Sequence, residues 1–167
     1  MGWFNSISYV ILTIVGIVIV VYQIRIQKSQ RDIQKSQLKL QELQLRIGLF
    51  DKRYQVFLSA MSLVATIVSN GGLTRSDLNK FIYDSRDKEF LFDNDIKEYL
   101  NDLYQKGNKL IYIKNVLEKP NFSDKDKKVA IIEENELLNF FGDQFDISKE
   151  KFGKYLNLFD AFYPKTD

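Results

Sequence analysis

The chain contains no cysteine and no histidine. The first absence excludes disulfides and thiol chemistry, and it fits a reducing compartment. The second removes the commonest metal ligand and the commonest general base at neutral pH. Serine-histidine and cysteine-histidine dyads are therefore excluded. A glycine-rich phosphate loop is missing too, because Asn70-Gly71-Gly72 lacks a following Lys-Ser/Thr pair. Carboxylates cluster at Asp93/Asp95 and at Glu133/Glu134/Glu136. A capping role is available to the first pair, and a solvated helical face accounts for the second. These absences exclude the usual catalytic arrangements, so the expectation is a non-enzyme with no cofactor and no metal.

Charge is also missing from one end. No charged side chain precedes Arg25, and residues 3–22 read WFNSISYVILTIVGIVIVVY. Twenty helical residues reach about 30 Å, the thickness of a hydrocarbon core. Twelve of the twenty are Phe, Ile, Leu or Val, each favouring insertion by up to ~0.3–0.6 kcal/mol. Trp3, Tyr9 and Tyr22 suit the interfaces. A cleaved signal peptide needs a basic start and a small-residue cleavage site, and neither is present. Residues 1–22 are thus expected to be a retained transmembrane helix, with the lipid bilayer as first partner. Gly16 stands alone, so there is no small-xxx-small packing motif.

Arg25, Lys28, Arg31 and Lys35 follow the apolar run. The positive-inside rule then places the N-terminus outside and the rest of the chain in the cytoplasm, at the inner membrane. Net charge is +2 overall, but residues 23–54 carry eight Lys/Arg against three Asp/Glu. Residues 55–167 carry sixteen against nineteen. The four basic residues nearest the span are candidates for headgroup contact. Nucleic acid is not an expected partner, since the distal part is slightly acidic and has no basic aromatic face.

A juxtamembrane helix is predicted over residues 23–48. Ile26-Gln-Lys-Ser-Gln recurs unchanged at Ile33-Gln-Lys-Ser-Gln, seven residues on. The spacing continues through Leu40, Ile47 and Tyr54, with Ser29, Ser36, Leu43, Phe50 and Phe57 at the intervening d positions. The pattern is coiled-coil-like and strengthens away from the membrane. Ile26, Ile33, Leu40, Leu43 and Ile47 are the candidate oligomerisation residues. A second stripe, Leu38, Leu45, Leu49, Val56 and Leu63, gives the helix another apolar face. One face can pack on its own domain while the other meets a partner.

Residues 49–167 are expected to form a small helical domain in the cytoplasm. The first helix stops at Asn70-Gly71-Gly72. Thr74 with Asp77 opens a second helix carrying Leu78, Phe81 and Ile82. The compact link from Lys88 to Phe92 is too short to assign as a strand. Asp93 caps a helix running to about Glu118, ended by Pro120. Its stripe holds Ile96, Tyr99, Leu100, Leu103, Leu110, Ile113 and Leu117. Another helix starts at Ser123, carries Ala130, Ile131, Leu137, Leu138, Phe141 and Phe145, and frays near Gly142. Ser148 then caps a short last helix, and the aromatic tail from Leu158 docks on the bundle. The fold class is all-α, a transmembrane helix continuing into a long coiled-coil-like helix and a small helical bundle.

Three stretches stand out together. They are Leu49-Phe50-Asp51-Lys52-Arg53-Tyr54-Gln55-Val56-Phe57, then Phe90-Leu91-Phe92-Asp93-Asn94-Asp95-Ile96 with Tyr99-Leu100, then Glu136-Leu137-Leu138 with Gln144-Phe145. In this order the chain resembles a loose group of small, uncharacterised bacterial membrane proteins. Those pair one N-terminal transmembrane helix with a cytoplasmic helical domain. The resemblance covers most of residues 40–155 and implies topology and fold; it carries no catalytic residues. Within it, Arg53 and Asp93 are candidates for a structural ion pair at a bundle seam.

The functional expectation is a single-pass, membrane-anchored interaction or scaffold module. It self-associates as a homo-oligomer through the juxtamembrane helix and can seat a protein partner in the cytoplasm. The alternative is a membrane-acting effector of the defence or toxin type, whose cytoplasmic domain controls clustering of the transmembrane helices.

Overall fold

A computed structural model describes the backbone of residues 2–118 and 123–157, with side chains from Leu12 onward except Asp124. The expectations for Trp3, Tyr9, Pro120 and the tail from Leu158 fall outside what is described. Among the described residues the chain is all-α. Its helices are α1 (Gly2–Asn70), α2 (Arg75–Asp84), α3 (Lys88–Leu91), α4 (Asn94–Leu117) and α5 (Asp124–Gly153). The residues divide into two compact units, 1–45 and 46–167.

The first unit is helical from Gly2. It contains a segment long and apolar enough to cross a membrane, and none of that segment is buried inside the protein. Its apolar side chains from Leu12 to Ile24 are exposed in an unbroken series. Helix is the only economical form for such a run, because it satisfies every backbone polar group internally.

The second unit has one hydrophobic core. The C-terminal part of α1 contributes Val56, Ala60, Leu63, Val64 and Ile67, all at most 3% exposed. Their spacing of four, three, one and three residues is that of one helix face. α1 ends as the Asn70-Gly71-Gly72 signal predicts. Gly71 adopts φ +62°, and the Gly72 N–H donates to the Ile67 carbonyl at 3.1 Å. That is the αL closure in which glycine avoids the Cβ penalty.

α2 starts with the reciprocal cap. The Thr74 hydroxyl oxygen accepts from the Asp77 N–H at 3.2 Å, and the Thr74 N–H donates to Asp77 Oδ2 at 2.8 Å. Leu78 and Phe81 are buried, but Ile82 is 44% exposed. A ten-residue helix packed along one narrow stripe leaves Ile82 at its edge. Residues 88–91 form a single helical turn rather than a strand.

Every expected stripe residue of α4 except Leu117 is buried; Leu117 packs at the core's margin. Gly107 lies within the continuous α4 and is buried. It gives α2 its approach, because a Cβ there would stand 3.2 Å from Leu78 Cδ1.

α5 departs from expectation. It is one helix of 30 residues, running through both Gly142 and Ser148. Phe141, Gln144, Ser148 and Phe152 are all buried, at spacings of three, four and four. This continuous inner stripe outweighs the ~1 kcal/mol cost of a mid-helix glycine. Ile131, expected inside, is 47% exposed.

Candidate functional site

The seam residues lie on exposed helix. Ile26, Ile33 and Leu40 are 55%, 54% and 59% exposed, Ile47 is 37% exposed and Leu43 is half-buried. The Ser36 hydroxyl donates to the Asp32 carbonyl at 3.0 Å, so that d-position hydroxyl is satisfied by its own helix. Arg25, Lys28, Arg31 and Lys35 are exposed as well. At about 100° per residue, Lys28, Arg31 and Lys35 fall within one arc, roughly opposite the line of Ile26 and Ile33. The helix thus carries an apolar line on one side and a basic line on the other. Further along, the second stripe is split by burial. Leu38, Leu45 and Leu49 are exposed, whereas Val56 and Leu63 belong to the core.

Arg53 and Asp93 come to the same corner of the bundle but are not bonded to each other. Arg53 Nε donates to the Leu91 carbonyl at 2.9 Å. That carbonyl ends a four-residue helix and has no helical partner, so a guanidinium is a better use of it than water. The guanidinium carbon lies 5.3 Å from the Tyr155 ring centroid and 5.9 Å from that of Phe92. Asp93 occupies the N-cap of α4 without capping it through its side chain. Its carboxylate accepts instead from the Tyr155 hydroxyl at 2.9 Å, and Asp95 accepts from the same hydroxyl at 2.7 Å. The expected ion pair is therefore replaced by a relay in which Tyr155 stands between the two charges.

The electrostatics of the corner follow from these contacts. The Tyr155 hydrogen bond, aided by Lys154 at 3.0 Å, holds the Asp95 carboxyl below its ordinary value. Burial and the neighbouring carboxylates push the Tyr155 phenol up. Phe152 packs edge-on against Phe57, Phe92 and Tyr99. The Tyr99 hydroxyl meets Ser148 Oγ at 2.6 Å in the buried interior. Burial also raises the Tyr99 phenol. Ser148 and Gln144 gave no core signal in sequence, because isolated polar residues ordinarily read as caps or surface.

A cleft of about 210 Å³ beside the corner is lined by Arg46, Leu49, Phe50, Arg53, Lys154 and Tyr155. A more open groove of about 410 Å³ lies along Gln55, Ser59, Lys80, Tyr83 and Arg86, with Lys80 paired to Asp84 at 2.9 Å. Among the described residues no cluster of three metal-ligating side chains occurs. The corner thus ties α1, α3, α4 and α5 together, and its polar groups are engaged in doing so. On the heptad line, Ile26, Ile33 and Leu40 are each more than half exposed.

No family model, curated protein or solved structure matches the chain.

Proposed function

We propose that this protein is a single-pass, membrane-anchored interaction module, with its N-terminus outside and its helical bundle in the cytoplasm, that self-associates through the juxtamembrane part of α1. One observation carries the reading. The bundle's core takes Val56, Ala60, Leu63, Val64 and Ile67 from α1, while the heptad line from Ile26 to Leu40 stays more than half exposed. Exposed apolar side chains at coiled-coil spacing are the ordinary signature of an interaction surface. The apolar run before Arg25 supports the anchor, and the basic residues after it support the orientation. Inner-membrane location follows from the same charge pattern.

The function is assembly and docking rather than catalysis. A chain without histidine or cysteine has no ready nucleophile–base pair. The polar groups of the half-buried corner and of the buried Tyr99–Ser148 pair are tied into structural bonds. The partners are the bilayer, a second copy of the chain and, through the bundle surface, a cytoplasmic protein.

The test uses the full chain. A reporter fused after Asp167 is active in the cytoplasm, and the detergent-solubilised protein elutes as an oligomer. A reporter active only outside the cytoplasm would reverse the orientation. A monomer at all concentrations would remove self-association. Depolarisation of cells on overexpression, abolished by Val15→Asp, would instead mark an effector that acts on the membrane.

A further inference from the structure

We infer that residues 23–45 of α1 pair with a second copy of this chain as a parallel, in-register, two-stranded coil whose membrane-proximal end is the looser one. The inference rests on the membrane-anchored reading above and adds strand number, direction and a gradient along the seam. Direction and register come from the anchor. Two chains inserted with the same orientation enter the cytoplasm side by side, and spans of equal length place Ile26 of each at the same depth. Strand number comes from side-chain shape. Ile26 and Ile33 are β-branched at a, the a-position choice of two-stranded coils, while their own heptads carry Ser29 and Ser36 at d and Leu43 shares its heptad with Leu40.

Charge complements this arrangement. Arg25, Asp32 and Lys39 occupy the g positions, and Gln30, Gln37 and Gln44 the e positions five residues on. In a parallel pair each g residue faces the e residue of the other chain. Each charge therefore meets a neutral amide that can donate or accept, and no like charges meet along the seam. Lys28, Arg31 and Lys35 lie on the far side of the helix, free to face headgroups while the seam is closed.

The gradient comes from the d positions. Ser29 and Ser36 fill them in the first two heptads, and Leu43 in the third. Serine contributes almost no apolar area, and the Ser36 hydroxyl is already bonded to Asp32 within its own helix. These two layers hold only through Ile26 and Ile33, whereas the third layer is apolar at both Leu40 and Leu43. The coil is thus closed at its distal end and permissive next to the membrane. That lets the two spans change separation or rotate while the chains remain paired.

The absence of cysteine makes the test direct, because each introduced thiol is unique. Single variants Ile26→Cys, Ile33→Cys, Leu40→Cys and Leu43→Cys are made in the full chain, with Arg31→Cys and Leu38→Cys as outward-facing controls. Native membranes are oxidised mildly, and the rate of dimer formation is read on non-reducing gels. Leu40→Cys and Leu43→Cys should cross-link roughly tenfold faster than the controls, as a high local concentration requires. Ile26→Cys should lie between them. The double variant Leu40→Cys/Leu43→Cys should stop at two chains. A ladder beyond two chains overturns the strand number, and equal rates at Ile26 and Leu40 overturn the gradient. Fastest cross-linking at Leu38 overturns the seam. Carbonate extraction of the same membranes separates the two levels of the reading. An extractable chain that still cross-links at Leu40 loses the anchor and keeps the seam, whereas an integral chain with no preferred position loses the seam and keeps the anchor.

Discussion

The same helix treats its apolar residues in two opposite ways. From Leu12 to Leu40 they lie exposed, while Val56, Ala60, Leu63, Val64 and Ile67 are at most 3% exposed. The residue types are alike, so composition cannot explain the difference. What differs is whether this chain itself supplies a covering surface. In residues 46–167 it does, through Leu78, Ile96, Leu100, Phe141 and Phe152. From Leu12 to Leu40 the apolar side chains stay exposed, and two distinct patterns appear there. Around Leu12–Val21 apolar residues fill the whole circumference, as a lipid-facing helix requires. From Ile26 they narrow to the heptad line with polar neighbours, joined from Leu38 by the second stripe. Exposure in one chain is thus a statement about what else covers it.

The sharpest way to break this comparison is to cut the same atoms from both regions. Leu63→Ala removes a 3% exposed side chain from the core, and it should destabilise the bundle by about 3 kcal/mol. Leu45→Ala removes one that is 75% exposed, and it should change stability by less than about 0.5 kcal/mol. Thermal unfolding of the full chain in detergent, followed by circular dichroism, checks both. Equal losses would mean that Leu45 is covered, and the contrast between the regions would fail.

The second prediction concerns what the bundle buries besides apolar surface. Ser148→Ala leaves the buried Tyr99 hydroxyl without its partner at 2.6 Å, at a cost of about 1–3 kcal/mol. Adding Tyr99→Phe should recover much of that loss, because the unpaired hydroxyl goes with it. A double-mutant cycle measures the coupling, and additive losses would deny the bond.

These two cases mark how far the sequence was legible. The 3.6-residue periodicity disclosed α4 nearly whole, and the capping pair Thr74/Asp77 located α2 correctly. The Asn70-Gly71-Gly72 stop ended α1 where it was expected. Those signals are local, and local chemistry decides them. The misreadings share a different cause. Gly142 and Ser148 looked like a break and a cap, yet Phe141, Gln144, Ser148 and Phe152 form one inner stripe, and tertiary packing overrode propensity. Arg53 and Asp93 were drawn to one corner correctly. No spacing rule could say that the Leu91 carbonyl and the Tyr155 hydroxyl would intercept them, since that depends on where a four-residue helix ends.

That corner gives the third prediction. Arg53→Ala removes one hydrogen bond to Leu91 and two ring contacts from a half-buried site, for a loss of about 1–2 kcal/mol. Arg53→Lys should not restore it, because an ammonium cannot bond through Nε while lying flat between two rings. An unchanged midpoint for Arg53→Ala would remove the corner's pinning role and sharpen attention on the core alone.

The smallest expected effect is also the one that depends on pH. The Thr74 hydroxyl, and after it the Thr74 N–H, hold the Asp77 carboxyl below its ordinary value of 3.8. A carboxyl whose folded value lies below its unfolded one binds fewer protons in the folded state. Its contribution is complete above the unfolded value and is lost as pH falls through 3.8 towards the folded value. Thr74→Ala should therefore cost about 1 kcal/mol at pH 7, the ordinary worth of an N-cap. The gap to the unaltered chain should narrow at pH 3, where both lose the carboxylate's share. Asp95 is held down independently by Tyr155, so Tyr155→Phe should flatten the acid limb again and add to Thr74→Ala. Between pH 5 and 8 the chain has no histidine to titrate, and the bundle's stability should stay level there. Melting curves across pH 2.5–8 settle the point. A gap that widens in acid would mean that Thr74 acts on the protonated carboxyl, and the cap would have to be reassigned.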